Sequence, residues 1–314
     1  MTRADSAHRA HHRLGIIVLN YNGAELTRRC VESVLAHTPE ALDYEVLVVD
    51  NGSREADREA LATSLCDRPR VRVLYSRMNL GFGGGHQFGL QFLDADYYLF
   101  LNSDCRFLND AASALIAFME GAPKAALASA LSFDTEGNFQ CTYHPAPNLA
   151  ELLLGRAFMR RFHPARYPER HLPPDAPLAT EVVTGATLFV RAEVFLSLGG
   201  FDPFFFLYCE EEDLAFRMRR AGWGVWVVPA ARIEHAGRGS TPQGMAYRRE
   251  FFISFLHYLR KHHGPVNALA IRWFYVLKLV RRAGRDPHAL ALARFVLRGA
   301  PQSASLRFHP RDRA

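Results

Sequence analysis

Four consecutive acidic residues form an uninterrupted run in the second half of the chain: Glu210, Glu211, Glu212 and Asp213. Adjacent carboxylates repel one another, so at least one of them is expected to have a raised pKa, which suits a general base. The run also opens a segment with helical spacing, and acidic residues stabilise the start of a helix. The pattern alone leaves both interpretations open, a proton acceptor or ordinary charges at a helix N-terminus.

Polar side chains also follow several apolar runs at the point where each run ends. Asn20, Asp50 and Asp104 occupy such positions, and ligands of open α/β sheets bind at the carboxyl ends of the strands. Asp104 could hold a divalent cation that neutralises a diphosphate, and His235 is a candidate second ligand. Asn and Asp are also common turn residues, and a lone histidine is more often not a ligand, so each motif is weak by itself.

A glycine-rich segment, residues 81–85, invites comparison with nucleotide-binding loops. The dinucleotide pattern GxGxxG fails, because its third glycine position is occupied by His86 or Phe88 in the two registers available. No GK[ST] follows, so the phosphate-binding loop of nucleotide triphosphatases is excluded as well. The segment predicts either a close approach of the backbone to a ligand or a tight turn.

The elements that must position these residues alternate between strands and helices, which predicts an α/β fold with a mainly parallel sheet covered on both faces. Residues 145–179 are rich in Pro and Arg and are expected to form an irregular, mobile loop facing the acceptor. Strand-like runs cover residues 14–19, 44–49, 71–75, 97–101, 181–191, 225–228 and 231–234, and helical spacing covers residues 24–37, 81–93 and 208–223.

The charge distribution divides the chain into an acidic body and a basic end. Residues 241–314 hold fourteen Lys and Arg against three acidic residues, whereas the preceding part is net negative. We expect a disordered tail over residues 1–13, a catalytic domain over 14–240 and a basic amphipathic helical region over 241–314. The basic end predicts attraction to an anionic membrane surface, while a nucleic-acid-binding protein would carry its charge on the folded body. Alternatively, its apolar residues pack on the catalytic domain or on a second subunit. Packing on a second subunit would make the protein a homo-oligomer.

The cysteines and the N-terminal residues indicate in which cellular compartment the protein is expected. The five cysteines are far apart, without a CxxC pair, which argues against a thiolate zinc module and a disulfide scaffold and fits a reducing compartment. The first residues contain no apolar signal core, and the longest apolar stretch is interrupted by Arg272 and Lys278. These features predict a cytoplasmic protein, peripheral on the inner face of the cytoplasmic membrane.

Taken in order, the motifs resemble family 2 glycosyltransferases of the GT-A fold, and within them the bacterial rhamnosyltransferase-like branch. The resemblance covers about residues 14–240 and implies a nucleotide-diphospho-sugar transferase fold with a C-terminal helical extension. The motifs that carry it are LNYNG (19–23), VVDNGS (48–53), NLGFGGG (79–85), LNSD (101–104), VTGATLFVR (183–191), GGFDPFFFLYCEEEDLAFRMRRAGW (199–223) and the final His235.

This resemblance also implies roles for individual residues. Asp104 would be the remaining carboxylate of the DxD-type motif and bind Mg²⁺ or Mn²⁺, with His235 beside the metal or the diphosphate. Thr184 and Gly185 would face the donor sugar and the acceptor. The other residues assigned to the nucleotide sugar are Leu19, Asn20, Tyr21, Asp50, Asn51, Ser53, Asn79, Gly81, Gly85, Asn102 and Ser103.

Two positions depart from the family pattern. The Glu-Asp pair before the helix is Glu210-Glu211 here, so the expected aspartate base is replaced by the longer Glu211, with Glu210 and Asp213 as competing candidates. Gln87 stands where an asparagine usually follows the glycine loop, which bears on the choice of donor.

The function that we expect from this resemblance is inverting transfer of a sugar to a polysaccharide or lipid-linked glycan. The expected donor is dTDP-rhamnose, with UDP-hexoses or UDP-galactofuranose as alternatives. A nucleotidyltransferase would need a basic phosphate-binding loop after the first strand, which the segment at residues 20–23 is not. A non-catalytic nucleotide-sugar-binding assembly protein is the alternative from another class, and the departure at Glu211 is its only support.

Overall fold

The computed structural model describes residues 10–65, 67–237 and 244–308, and its core is a ten-stranded sheet. The strands of the described residues are β1 (His11–Asn20), β2 (Tyr44–Asp50), β3 (Val71–Tyr75), β4 (Asp94–Asn102), β5 (Cys105–Phe107), β6 (Ala125–Phe133), β7 (Phe139–Gln140), β8 (Tyr143–His144), β9 (Leu178–Thr180), β10 (Val182–Val183), β11 (Thr187–Arg191) and β12 (Gly224–His235). Strands β8 and β10 form a separate pair, and the others belong to the ten-stranded sheet. The helices are α1 (Ala24–His37), α2 (Glu55–Leu65), α3 (Gly81–Leu90), α4 (Ala111–Gly121), α5 (Leu149–Leu154), α6 (Arg156–Phe162), α7 (Ala192–Ser197), α8 (Glu210–Arg220), α9 (Met245–Arg281) and α10 (Ala289–Leu297).

The order of the main strands is β3-β2-β1-β4-β11-β6-β12-β5. Strands β3, β2, β1 and β4 are parallel, as the alternation of apolar runs and helices predicts, while β11 enters antiparallel between β4 and β6. Side chains alternate across β1: Leu14, Ile16 and Val18 belong to one core cluster and Ile17 to the other. Helices α1, α2 and α4 cover the first face, and α3, α7 and α8 cover the second, so both faces are buried as parallel strands require.

The N-terminal strand begins earlier than predicted. Residues 11–13, which we expected to be part of a disordered tail, are the first residues of β1, while residues 1–9 lie outside the described part of the chain. Acidic residues of the neighbouring strands and loops hold this end: the His11 ring lies 3.0 Å from Asp96 Oδ1, and the His12 ring lies 2.9 Å from Asp43 Oδ1. Because residues 11–13 are polar, the sequence contains no apolar run there that would predict the first part of the strand. The predicted domain boundary at residues 240/241 also lies outside the described residues.

Residues 145–179 contain more regular structure than predicted. Helices α5 and α6 occupy residues 149–162, and α5 begins at Asn148, whose side chain accepts a hydrogen bond from Glu151 N. Tyr167 is fully buried, and its hydroxyl accepts a hydrogen bond from Asn148 Nδ2 at 3.0 Å. A buried aromatic ring and a capped helix start tie this segment to the domain.

The C-terminal helices form a third apolar cluster with the 204–209 loop. The first half of α9 contributes Phe252, Leu256 and Leu259, which pack with Phe205 and Cys209. This part of the C-terminal region therefore packs on the catalytic domain, the alternative to membrane contact, and the expectation that its apolar residues face a bilayer is wrong there. Phe252, Phe255, Leu256, Leu259 and Val276 are among the buried apolar residues of the basic C-terminal region over 241–314.

The second half of α9 presents a different surface. Gly264 adopts a left-handed conformation (φ 76°) and Pro265 follows it, so the helix is interrupted there. Beyond this break an exposed apolar stripe recurs at intervals of three or four residues: Val266, Leu269, Trp273, Leu277 and Val280. Within the described residues, no helix combines the length and the apolar character that a bilayer span demands.

Candidate functional site

A carboxylate and an imidazole meet where β4, β5 and β12 come together. The chain turns after β4, so that Asp104 immediately precedes β5, and the antiparallel register of β5 and β12 pairs Cys105 with His235. This register brings His235 Nε2 to 3.4 Å from Asp104 Oδ1, although the two residues are far apart in sequence. The Asp104 side chain is buried, whereas His235 remains partly accessible.

These residues have the chemistry of a divalent-cation site. One ligand atom from each of Asp104, Cys105 and His235 lies within 4.8 Å of the others. Burial raises the pKa of the Cys105 thiol well above its ordinary value, the Asp104 charge raises it further, and Cys105 Sγ contacts Ala186 O at 3.5 Å. The thiol is therefore neutral and a poor ligand. A carboxylate with an imidazole suits Mg²⁺ or Mn²⁺ and leaves coordination positions for diphosphate oxygens.

The predicted base lies at the start of α8, opposite the 184–186 segment. A Cβ placed on Gly185 would lie 3.4 Å from Glu211 Oε1, so the Glu211 carboxylate faces the residue expected beside the donor sugar and the acceptor. Ala186, next in the chain, accepts hydrogen bonds from Asn102 N and Cys105 Sγ on either side of Asp104. Gly185 and Ala186 thus connect the Glu211 carboxylate to the Asp104–His235 pair.

Glu212 was not among the predicted site residues, yet it adjoins the base. Burial raises the pKa of Glu212 well above its ordinary value, and the charge of Glu211 and a hydrogen bond between the two carboxyl groups raise it further. The folded protein therefore favours the protonated form of Glu212. His144 Nε2 approaches Glu212 Oε1 to 4.0 Å from the other side, and burial is the main cause of its lowered pKa. The sequence carries no signal for His144, because β8 approaches α8 only in the folded chain.

The two other acidic candidates point into the protein. Asp213 is fully buried and accepts hydrogen bonds from Arg217 and Lys261, and the His262 ring lies 2.7 Å from its Oδ1. Burial alone would raise the pKa of Asp213, but the His262 hydrogen bond and the Arg217 charge outweigh it and lower the pKa to about 2. Asp213 therefore anchors α9 to α8, and a carboxylate held by this many donors is a poor base.

Glu210 is also unsuited to proton transfer with a substrate. Its side chain is only 2% exposed, and its Oε1 has no hydrogen-bond partner among the described residues. Burial raises the pKa of Glu210 well above its ordinary value, and the Glu211 charge adds to the effect. The predicted rise in pKa within the acidic run thus falls on Glu210 and Glu212, while Glu211 has the accessible carboxylate.

The raised pKa of Glu210 leads to a prediction about stability. A carboxyl group whose pKa is higher in the folded than in the unfolded state stabilises the fold fully at low pH. This contribution is lost as pH rises from the unfolded value, about 4, through the folded value. Glu210→Gln removes this dependence, so we expect its melting temperature to exceed that of the parent protein by about 2–8 °C at pH 8 and by little at pH 5. Calorimetry at the two pH values measures the difference. A lower melting temperature at pH 8 would contradict the assignment.

A hydrogen-bonded network joins the ends of β1 and β2. Asn20 Nδ2 donates to Asp50 Oδ1 at 3.0 Å and to Ser53 Oγ at 3.2 Å, and both Asn20 and Asp50 are fully buried. Arg58, which the sequence did not single out, lies with its Nε 3.6 Å from Asp50 Oδ2 and its guanidinium over the Tyr75 ring. The predicted nucleotide-binding Asp50 is therefore covered by Arg58, a residue at the start of α2.

The asparagines and glycines near residue 80 form a second network. Asn51 Nδ2 donates to Asn79 Oδ1 and Gly81 O, and Asn51 Oδ1 accepts from Leu80 N. Gly81 has φ +79°, and a Cβ there would lie 2.1 Å from Phe206 O, whereas a Cβ on Gly85 would lie 2.4 Å from Leu19 Cδ1. Contacts within the protein already require glycine at residue 81, where the Phe206 backbone is in the way, whereas at Gly85 the obstructing atom is the end of the flexible Leu19 side chain. The expectation that small size serves the approach of a ligand is therefore not needed to explain Gly81, and it stays a prediction for Gly85.

The remaining predicted residues surround these groups. Tyr21 is exposed at the end of β1, and Ser103 is buried next to Asp104. Asn102 donates its backbone N–H to Ala186 O, and Thr184 donates its N–H to Thr142 O at 2.8 Å. Leu19 is half-buried against α3. The structure thus places the predicted residues in two adjoining groups, one around Asn20, Asp50 and Asn51, and one around Asp104, Gly185 and Glu211.

Comparisons with known proteins place the chain in a family. The model of "Glycosyl transferase family 2" matches residues 15–185, more than half of the chain. The N-acetylglucosaminyl-diphospho-decaprenol L-rhamnosyltransferase of Mycobacterium tuberculosis is 26% identical over 281 residues, which cover 83% of this chain and 88% of that protein. The rhamnosyltransferase WbbL of Escherichia coli is 24% identical, covering 70% of this chain and 82% of its own.

Solved structures show the same fold. The mannosyltransferase PcManGT from Pyrobaculum calidifontis, in complex with GDP-Man and Mn²⁺, superposes with a TM-score of 0.57 at 16% identity and covers 93% of this chain and 75% of its own. GalNAc-T7 with UDP, GalNAc and Mn²⁺ gives a TM-score of 0.54 at 15% identity over 78% of this chain, which spans about half (48%) of that structure. The predicted GT-A fold is confirmed, and the chain belongs to the family 2 glycosyltransferases.

Proposed function

We propose that this glycosyltransferase moves rhamnose from a nucleotide-linked donor to a lipid-linked glycan, with inversion at the anomeric carbon. The observation that carries the proposal is the segment at Gly185 and Ala186, which faces the Glu211 carboxylate and is hydrogen-bonded to the residues on either side of Asp104. This arrangement sets a proton acceptor and a diphosphate-binding pair at two ends of one short segment. The names of the relatives from M. tuberculosis and E. coli support rhamnose as the sugar.

Glu211 takes the proton of the acceptor hydroxyl as that oxygen attacks the anomeric carbon. The raised pKa of Glu212 favours its protonated form, which would donate a hydrogen bond to the Glu211 carboxylate and hold it in place. In the reaction the oxygen forms a bond to the anomeric carbon, the bond from that carbon to the diphosphate breaks, and the proton goes to Glu211.

Asp104 and His235 would hold the divalent cation. When bound, such an ion offsets the negative charge of the departing nucleoside diphosphate. Asp104 supplies the anionic ligand and His235 a neutral nitrogen, while the buried Cys105 thiol stays protonated. The Mn²⁺ complexes of the two solved structures support a divalent cation, and both Mg²⁺ and Mn²⁺ suit these ligands.

Transfer assays with matched donors test the proposal. Purified full-length protein is incubated with dTDP-rhamnose, UDP-glucose, UDP-galactose or UDP-galactofuranose and a lipid-linked N-acetylglucosaminyl diphosphate, the acceptor suggested by the name of the M. tuberculosis relative. Preferential transfer from dTDP-rhamnose supports the proposal, and preferential use of a UDP-sugar would show that the transferred sugar is not rhamnose. Binding of a nucleotide sugar, seen as protection against thermal unfolding, without transfer or hydrolysis would instead favour the assembly protein.

The exposed stripe on the second half of α9 supports peripheral association with an anionic membrane. Trp273 and Leu277 lie on this stripe, and Arg281 and Arg282 are exposed at its end. Apolar burial and attraction of cations to anionic lipid add together in an interfacial helix. A lipid-linked acceptor would make such proximity to the membrane useful.

We expect full-length protein to float with anionic phosphatidylglycerol vesicles at low salt and much less at high salt. Each cation near the surface contributes about 1 kcal/mol, so Arg281→Glu with Arg282→Glu is expected to weaken binding at least tenfold. Arg28→Glu with Arg29→Glu, on α1, serves as the matched control for charge. If the protein does not bind anionic vesicles at low salt, the exposed stripe serves another purpose.

A further inference from the structure

A cavity lined by arginines opens beside α6, outside the residues assigned to the donor. Its volume is about 410 Å³, and its lining includes Arg156, Arg160 and Arg170 with the His171 ring. Ala157 and Pro168 complete it and add no charge. Guanidinium groups present several N–H donors in a plane, which matches the oxygens of a phosphate group.

The acidic groups near this cavity only partly offset its positive charge. Glu169 pairs with Arg160 at 3.1 Å and with His171 at 3.3 Å, and Glu151 lies 3.7 Å from Arg156. Arg170 has no carboxylate within ion-pair distance among the described residues, and its Nε donates to Cys141 Sγ at 3.2 Å. The lining is therefore net positive, with Arg170 the cation most available to an added anion.

Strand β8 and the residues that precede it connect the cavity to the acidic residues beside Glu211. Cys141, which accepts from Arg170, is three residues before His144, and Tyr143 donates its hydroxyl hydrogen to Glu169 O at 2.8 Å. His144 in turn lies 4.0 Å from Glu212, next to the base. Strand β8 and the residues before it thus lie between the arginine-lined cavity and the catalytic carboxylates.

Exposed apolar side chains lie on α5 and on the face of α6 opposite to the lining Arg156 and Arg160. Leu153 and Leu154 at the end of α5 are 63% and 55% exposed, and Phe158 and Phe162 on α6 are 47% and 59% exposed. The two phenylalanine rings lie 4.8 Å apart, so they form one exposed apolar patch. Helix α5 contacts α9, which carries the exposed stripe described above. An anion-binding cavity on one face of α6 and an exposed apolar patch on the other suit a ligand with a phosphate head and a long hydrocarbon tail.

We propose that this cavity binds the diphosphate group of the lipid-linked acceptor, whose hydrocarbon chain passes around α6 to the exposed Phe158 and Phe162. The inference rests on the proposed function, since it assigns a site to the acceptor of that reaction. Arg160 and Arg170 bind the diphosphate oxygens, and Glu169 keeps the His171 ring as its partner when Arg160 turns to the diphosphate. The sugar beyond the diphosphate then extends past β8 toward Glu211.

Two single substitutions and a matched control test the site. Arg160→Gln and Arg170→Gln each remove one cation of the cavity, whereas Arg161→Gln removes a neighbouring exposed cation of α6 that does not line it. Arg156 is left intact because it donates to Pro168 O and covers the Tyr167 ring, so its loss would disturb the fold. Melting temperatures of the three variants establish that each is folded.

The kinetic experiment compares two acceptors that carry the same sugar, one on a lipid diphosphate and one as a neutral alkyl glycoside. For Arg160→Gln and Arg170→Gln, KM for the diphosphate acceptor is expected to rise about ten- to a hundredfold, as expected when a hydrogen bond to a charged group is lost. KM for the alkyl glycoside and for the donor stays unchanged, and Arg161→Gln behaves like the parent protein. Equal losses with both acceptors, or equal effects of Arg160→Gln and Arg161→Gln, would overturn the proposal.

Binding measurements make the outcome independent of turnover. In EDTA, which removes any cation from Asp104 and His235, farnesyl diphosphate is expected to raise the melting temperature of the parent protein and of Arg161→Gln but not of Arg170→Gln. Inorganic diphosphate that protects as well as farnesyl diphosphate would show that the cavity binds free diphosphate without the lipid, which overturns the assignment to the acceptor. Arginine-dependent flotation on phosphatidylglycerol vesicles without protection by farnesyl diphosphate would assign the cavity to lipid headgroups and also overturn it. Protection by farnesyl diphosphate in a protein that transfers no sugar would refute the proposed function while leaving the site standing.

Discussion

Glu211→Gln is expected to lower kcat by about 10²–10⁴-fold, the usual scale for the loss of a general base, with little change in donor affinity. The amide occupies nearly the same space as the carboxylate but cannot accept the proton of the acceptor hydroxyl. Because Glu211 faces Gly185 and is not part of the buried core, the variant should fold normally. Steady-state kinetics with a fixed donor, together with donor protection against thermal unfolding, separate the loss of chemistry from a loss of binding.

The neighbouring acids provide the controls. Glu212→Gln keeps a hydrogen-bond donor beside Glu211, so we expect it to retain most of the activity. Asp213→Asn should instead reduce stability, because it leaves the Arg217 and Lys261 cations and the His262 ring without their shared carboxylate. Glu211→Asp, which restores the residue usual in the family, should keep substantial activity. If Glu212→Gln were as inactive as Glu211→Gln, the base would be one residue further along the chain.

The sequence predicts the central sheet well because its signals are local. The apolar runs at residues 14–19, 44–49 and 97–101 are the buried parts of β1, β2 and β4, and the polar residues Asn20, Asp50 and Asp104 lie at or just beyond their ends. The start of β1 was missed because charged partners on other strands, rather than apolar residues, hold His11 and His12. Residues 225–234 form one strand instead of two because β12 continues through Pro229 with a shift in its pairing.

The assignment of the acidic run shows where prediction from sequence stops. Helical periodicity places Glu210 and Asp213 on the same side as the apolar Leu214, so their burial could have been predicted from spacing alone. The partners of Asp213 could not, because Lys261 and His262 lie 48 and 49 residues further along the chain and reach it only through the packing of α9. The same reasoning applies to His144 and Arg58, whose positions near Glu212 and Asp50 depend on tertiary contacts.

Asp104→Ala is expected to abolish metal-dependent turnover, a loss of about 10³-fold or more, while the protein remains folded. Asp104 is the only carboxylate in the group of ligand atoms formed with Cys105 and His235 among the described residues, so its removal leaves one neutral nitrogen and a protonated thiol. Such a pair does not hold Mg²⁺ or Mn²⁺ tightly. Titration of Mn²⁺ by calorimetry in the presence of the nucleoside diphosphate should therefore show loss of metal binding in parallel with loss of activity.

Variants of the two flanking residues distinguish a metal ligand from a structural residue. His235→Ala should weaken Mn²⁺ binding and turnover together, with activity partly recovered at high Mn²⁺ because the Asp104 carboxylate remains. Cys105→Ser should leave both nearly unchanged, since a hydroxyl group can replace the thiol as a hydrogen-bond donor to Ala186 O and the thiol carries no charge. Asp104→Asn keeps the shape of the side chain and should be as inactive as Asp104→Ala. Full activity of the parent protein in EDTA, or Mn²⁺ binding that survives Asp104→Asn, would show that the Asp104–His235 pair serves the fold and that charge on the leaving diphosphate is offset by other residues.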